Sequence, residues 1–173
     1  MIQPASGPSI EQWPALPYQA WQDTCTTLHL WSQIVGKIRL AQTPWANHSW
    51  HVTLYVTARG LTTSPIPYQG RAFQIDFDFI DHALLIGTSD GGASRLPLAP
   101  MPVADFYDRL MSALGELDIR VRIHGRPNEV PDAISFREDR EHAAYDPDAV
   151  QRFWRALVQA DRLFKQFRTG FLG

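Results

Sequence analysis

The sequence predicts an α+β fold: an antiparallel meander of about five to six strands packed against three helices. Three observations carry this expectation. Residues 72–80 alternate strictly, with Phe73, Ile75, Phe77 and Phe79 on one side and Gln74, Asp76 and Asp78 on the other, the period of a strand with one buried face. In residues 18–41, 103–115 and 147–171 the apolar side chains recur instead at helical spacing. Turn-forming residues, Asp81–His82 as a two-residue turn and then Asp90-Gly91-Gly92, separate consecutive strand-like segments, which gives a meander with one apolar and one polar face.

Composition sets the bounds. The chain has 173 residues, a length that fits one α+β domain (18–173) behind an extended arm (1–17). At 45% hydrophobic and 20% charged residues it is too apolar for a disordered chain. Six Trp, nine Phe and five Tyr supply large buried areas, and most of these rings are expected in the core. A formal net charge of −2 argues against a general nucleic-acid footprint and against a basic membrane surface. A single cysteine, Cys25, excludes a disulfide within the chain and a Cys-rich zinc site, and suits a reducing, cytoplasmic setting. The first residues lack the basic and apolar regions of a signal peptide, and the apolar runs are broken by charge too often for a membrane span.

The elements follow in order. Pro4, Pro8, Pro14 and Pro17 keep the arm extended, with Trp13 and Leu16 expected to pin it to the body. In the first helix, Trp21, Cys25, Leu28, Trp31, Val35 and Ile38 share one side, and Leu30 and Ile34 add another, so the helix is expected to be central. Its polar stripe is Gln22, Thr26, His29, Gln33 and Lys37. Gly36 inside it implies close approach by another backbone or a kink. Residues 49–57 read as a strand with Trp50, Val52, Leu54 and Val56 inward and His51, Thr53, Tyr55 and Thr57 outward. A short strand at 61–66, the strand 72–80 and strands at 83–89 and 93–98 complete the meander. The second helix spans 103–115. Residues 118–124 alternate again, Ile119, Val121 and Ile123 against Arg120, Arg122 and His124, and read as a further strand. A long irregular stretch, 125–145, precedes Asp146-Pro147, an N-cap followed by Pro at the first helical position. The third helix, 147–171, is expected to bury Val150, Phe153, Trp154, Leu157, Val158, Phe164 and Phe167.

Several segments are distinctive: Trp13 to Tyr18 (WPALPY), Thr27 to Lys37 (TLHLWSQIVGK), His51 to Pro67 (HVTLYVTARGLTTSPIP), Phe77-Asp78-Phe79, and Tyr145-Asp146-Pro147 followed by Arg152 to Leu157 (RFWRAL). Together they resemble an uncharacterised bacterial family of unknown function, over nearly the whole chain from Trp13 to Phe171. The resemblance implies a common fold and carries no activity. It also implies that relatives continue past the third helix, so that this chain corresponds to their N-terminal portion.

Three polar constellations are candidates for chemistry. On the outer face of the sheet, His51, Tyr55 and Arg59 could face Asp76 and Asp78, joined by Arg120, Arg122 and His124; carboxylates, imidazole and guanidinium in a cleft suit acid–base work or an anionic ligand. The competing view is an ordinary solvated sheet face. On the first helix, His29, Gln33 and Lys37 are successively four residues apart and share a face. Such a stripe on a central helix must find partners or line a cavity. In the long loop, Glu138, Asp139, Glu141, His142 and Tyr145 could form a lid, or be a solvated loop beside the third helix. His48 and His51 would point to opposite faces of a strand, and no metal-ligand pattern, phosphate loop or nucleophile elbow occurs, so neither metal nor cofactor is expected. The cations of the third helix, Arg152, Arg155, Arg162, Lys165 and Arg168, lack stacking aromatics and are interleaved with Asp148 and Asp161.

These observations do not fix a function. The reading they favour is a small-molecule-binding domain, with His29, His51, Asp76 and Asp78 as candidate catalytic groups and Gln33, Lys37, Tyr55, Arg59, His142 and Tyr145 as candidate ligand contacts. The alternatives are a hydrolase-like enzyme pairing His29 or His51 with Asp76 or Asp78, and a protein-interaction or structural module whose exposed aromatics and strand edge mediate assembly. A small-molecule ligand and a homo-oligomer are the partners considered; nucleic acid and membrane are not expected.

Overall fold

A computed structural model describes residues 13–171. It is an α+β fold with an open antiparallel sheet of six strands. Helix α1 (Gln22–Gln42) is followed by β1 (Tyr55–Val56), β2 (Gly60–Thr62), β3 (Ile66–Tyr68), β4 (Arg71–Asp78), β5 (Ala83–Thr88) and β6 (Ala93–Pro97). Then come α2 (Val103–Glu116) and α3 (Pro147–Thr169). Short 3-10 turns cover Tyr18–Ala20 and Asn47–Val52.

The strand order is β1-β2-β4-β5-β6, with β3 also on β4. β2 pairs with the end of β4 (Leu61 opposite Phe77) and β3 with its start (Ile66 opposite Phe73), so the two lie in line along one edge. The single Thr-rich strand expected at 61–66 is therefore a strand broken in the middle. Ser64 adopts a left-handed φ of 58°, and Thr63 bridges the gap: its N–H donates to Ile75 O and its Oγ1 accepts from Ile75 N–H, both at 3.0 Å. Gly60 permits the close pairing, since a Cβ there would lie 1.9 Å from Phe77 O. The turn between β4 and β5 holds residues 79–82, four residues instead of two, because Asp78 pairs with Ala83.

The core lies between the apolar face of this sheet and the helices. Trp31 stacks on Phe106 of α2 (4.7 Å between centroids) and Tyr145 (5.7 Å), and Phe106 stacks on Phe77 of β4 (6.5 Å). One column of rings thus ties helix, helix and sheet together. α1 is central as expected, with Trp31, Ile34, Val35 and Ile38 fully buried. A Cβ on Gly36 would meet Val52 Cγ2 at 3.4 Å and Val52 O at 3.8 Å, the close approach its position implied.

Four further expectations need correction. Residues 49–57 are not one strand. His48 and Ser49 take left-handed φ of 52° and 57°, the chain turns tightly onto α1, and only Tyr55–Val56 pair in the sheet; Trp50 is exposed. Residues 118–124 lie outside the sheet, entered through a turn in which Asp118 takes a left-handed φ of 55°. Ile119 and Val121 are buried, yet Ile119 N–H donates to Leu114 O and Arg120 N–H to Tyr68 Oη, so the alternation recorded burial and not pairing. In α3, Ala149 and Val150 are buried and Phe153 and Trp154 pack on the core, but Phe164 and Phe167 are 73% and 81% exposed. The helix packs on α1 and β1 through its first turns and extends past them. Finally, of the two residues expected to pin the arm, Trp13 is exposed and Leu16 is half-buried; the part of that arm over 1–12 lies outside the described residues.

Candidate functional site

The polar stripe of α1 opens into a groove of about 530 Å³. Its walls are His29, Ser32, Gln33, Lys37 and Leu40 of α1, Ser49 and Val52 of the turn segment, Leu54, and Asn128 and Glu129 from the loop after residue 124. Helical spacing aligns the α1 residues, and the loop is fastened across them by a reciprocal pair. Gln33 Nε2 donates to Asn128 O at 2.9 Å, and Asn128 N–H donates to Gln33 Oε1 at 2.8 Å. Gln33 Nε2 also lies 3.1 Å from His29 Nε2.

Lys37 is the unusual member. Its side chain is only 8% exposed, and Nζ donates to the neutral Asn128 Oδ1 at 2.8 Å. Among the described residues it makes no ion pair; Glu129 lines the same groove without forming one. Burial lowers its pKa below the ordinary lysine value. Two residues on, Arg39 is also buried, its guanidinium lying over the Tyr55 ring at 5.1 Å and its Nε and Nη1 without hydrogen-bond partners. Two buried cations near the end of α1 are offset in part by the negative end of the helix dipole. Among the described residues neither cation forms an ion pair, so the positive charge here is not matched by a contacting carboxylate.

A second, smaller cavity of about 190 Å³ adjoins the groove and shares His29, Ser32 and Leu54 with it. The rest of its lining is Trp21, Cys25, Leu28, Leu61 and Phe153, and the Trp21 and Phe153 rings lie 5.1 Å apart. Burial also raises the pKa of the Cys25 thiol.

The outer face of the sheet differs. A shallow pocket of about 330 Å³ is lined there by Arg59, Asp76 and Asp78 among others. Asp78 is 4% exposed and saturated: Arg59 Nε donates to it at 2.7 Å, and the N–H groups of Ile80 and Asp81 donate at 2.9 and 3.0 Å. Burial alone would raise its pKa, but Arg59 and the two backbone donors outweigh that and hold it below the usual carboxylate value. Arg59 also pairs with Asp81. Asp76 accepts from Gln74 Nε2 in a bidentate contact.

The remaining candidates are scattered. His51 is buried in the turn segment, where its Nδ1 accepts from Ala46 N–H at 3.0 Å. Tyr55 covers Arg39. Neither His29 nor His51 makes a hydrogen bond to Asp76 or Asp78. His142 Nδ1 contacts buried Asp139 at 2.8 Å, and the carbonyls of Asp139 and His142 accept from Ala104 and Val103 N–H, satisfying donors at the start of α2. Tyr145 contacts His82 Nδ1 through Oη at 2.9 Å, and burial raises its pKa. The segment 138–145 therefore caps the N-terminus of α2. Of the predicted contacts, the structure brings His29, Gln33 and Lys37 together in one groove. Asn128, Glu129, Ser32 and Leu54 escaped sequence reasoning: Asn128 lies 95 residues from Gln33, and only the flanking Pro127 and Pro131 marked a loop at all.

The model of a family of unknown function (DUF5996) matches residues 13–173, nearly the full length. The chain belongs to the DUF5996 family. No curated protein and no solved structure matches it. For this DUF5996 chain, the geometry of the groove is what bears on function. Among its described residues no helix is long and apolar enough to cross a membrane, and no three His, Cys, Asp or Glu side chains are grouped to hold a metal ion.

Proposed function

We propose that the protein binds a small organic acid in the α1 groove, with Lys37 as the anchor. The observation that carries this reading is an ammonium group buried in the wall of an open groove with one neutral hydrogen-bond partner and, among the described residues, no ion pair, although Glu129 lines the same groove. A buried charge ordinarily has a counter-charge, and a group kept at a cost to stability points to use. A ligand carboxylate would supply the counter-charge. Asn128, held in place by Gln33, forms the opposite wall, and Ser32 and His29 offer further polar contacts. Binding is favoured over acid–base catalysis because the histidines and aspartates that would have to cooperate are engaged with other partners.

The test is a thermal-shift panel of small carboxylates, amines and alcohols on the wild type and Lys37→Met, preceded by native mass spectrometry of freshly purified protein. Carboxylates should raise the melting temperature of the wild type by mass action. They should leave Lys37→Met unmoved. Equal shifts in both proteins, or shifts by amines and alcohols alone, would overturn the reading.

A further inference from the structure

We infer that the acid this groove takes is amphipathic: a carboxylate at Lys37 carried on an unbranched apolar body that runs along α1 into the neighbouring cavity walled by Trp21, Leu28, Leu61 and Phe153. The inference rests on the groove being an acid site and adds what lies beside it. The polar groove and the apolar cavity are neighbours with common walls at His29, Ser32 and Leu54. They follow one helix, and the residue types change along it. Lys37 and Gln33 stand at one end, His29 and Ser32 at the junction, and Cys25, Leu28 and Trp21 at the other. A rigid helix sets the length scale: Cys25 and Lys37 are twelve residues apart, on the order of 18 Å at 1.5 Å per residue. Leu61 of β2 and Phe153 of α3 close the apolar end from two further elements.

This arrangement selects on chemistry at both ends. A short acid can reach Lys37 but leaves the cavity empty. A chain that spans both parts removes apolar surface from water as well, so affinity should rise with chain length until the cavity is filled. A second carboxylate at the far end would enter a cavity offering no cation, and an uncharged head would leave Lys37 without its counter-charge.

The experiment is calorimetry on the wild-type protein with acetate, hexanoate, decanoate, decanol and decanedioate, followed by hexanoate and decanoate on Leu61→Trp, which fills the cavity. The expected result is that decanoate binds at least about tenfold more tightly than hexanoate, the scale of a modest apolar contact. Decanol and decanedioate should be weaker than decanoate, and Leu61→Trp should erase the preference for decanoate while retaining hexanoate. Equal affinity for all three monoacids, or decanol as tight as decanoate, would overturn the amphipathic assignment and leave the acid-binding reading standing. Absence of binding by every acid would overturn both. The chain-length series uses the unmodified protein, so it decides the matter even if Leu61→Trp does not fold.

Discussion

The groove on α1 and the polar face of the sheet carry similar side chains and treat charge in opposite ways. On the sheet, Asp78 is buried, but three donors from Arg59, Ile80 and Asp81 surround it. In the groove, Lys37 is almost as buried and has a single amide oxygen. The first arrangement is complete within the chain and serves the turn between β4 and β5. The second has no ion pair among the described residues, and the carboxylate of the proposed ligand would complete it. A polar cluster is therefore better judged by what its members lack than by how many there are.

Five substitutions at four positions would break or sharpen this contrast. The largest effect is expected for Asp78→Ala, which strands two backbone N–H groups and the Arg59 partner. A loss of about 2–4 kcal/mol in urea unfolding is expected, with ligand binding retained in the folded fraction. Because the Asp78 pKa is depressed, its contribution is present above the ordinary aspartate value near about 4 and is lost as pH falls below it, so acid unfolding of Asp78→Asn should be less steep than that of the wild type.

Gln33→Ala removes the reciprocal bonds to Asn128; about 1–2 kcal/mol of stability and most of the acid affinity should go together. For Lys37→Met the two readouts should separate. Acid binding disappears, whereas stability at neutral pH holds or rises, because a buried charge without counter-charge is replaced by an apolar side chain of similar length. The sign of its pH dependence follows from the lowered pKa. Unfolding lets Lys37 take up a proton between the folded value and the unfolded value near about 10.4, so wild-type stability rises with pH there. The advantage of Lys37→Met, measured by thermal melts, should shrink accordingly toward that pH. Smallest of all, Asp76→Asn should change stability by less than about 0.5 kcal/mol and leave binding unchanged, as befits a side chain whose partner is its neighbour Gln74.

Periodicity revealed most of the architecture and part of the groove. The ladder of Phe73, Ile75 and Phe77, the three helices and the Asp146 cap are local patterns, and burial enforces them directly. Alternation misled at 49–57 and at 118–124, because it reports which side chains are buried and not whether the backbone has a strand beside it. The left-handed residues His48, Ser49 and Asp118, which prevent such pairing, belong to types tolerated in that region without demanding it. The stripe of His29, Gln33 and Lys37 was legible from one helix. Its opposite wall was not, because it depends on a contact between residues about ninety apart in sequence that no local pattern encodes. Phe164 and Phe167 fit the apolar spacing of α3, but spacing does not say where the supporting layer stops.

The clasp between Gln33 and Asn128 has a consequence for kinetics. With its side-chain amide, Gln33 reproduces the donor and acceptor that a neighbouring strand would present, so the loop is held as though by one rung of a ladder. Opening that rung uncovers Lys37 without disturbing the column of rings through Trp31 and Phe106. For the proposed ligand, entry and escape would thereby be uncoupled from global unfolding and governed by a local opening. Amide exchange at Asn128 should accordingly be much faster than at the core amides of β4, and a bound acid should slow it selectively.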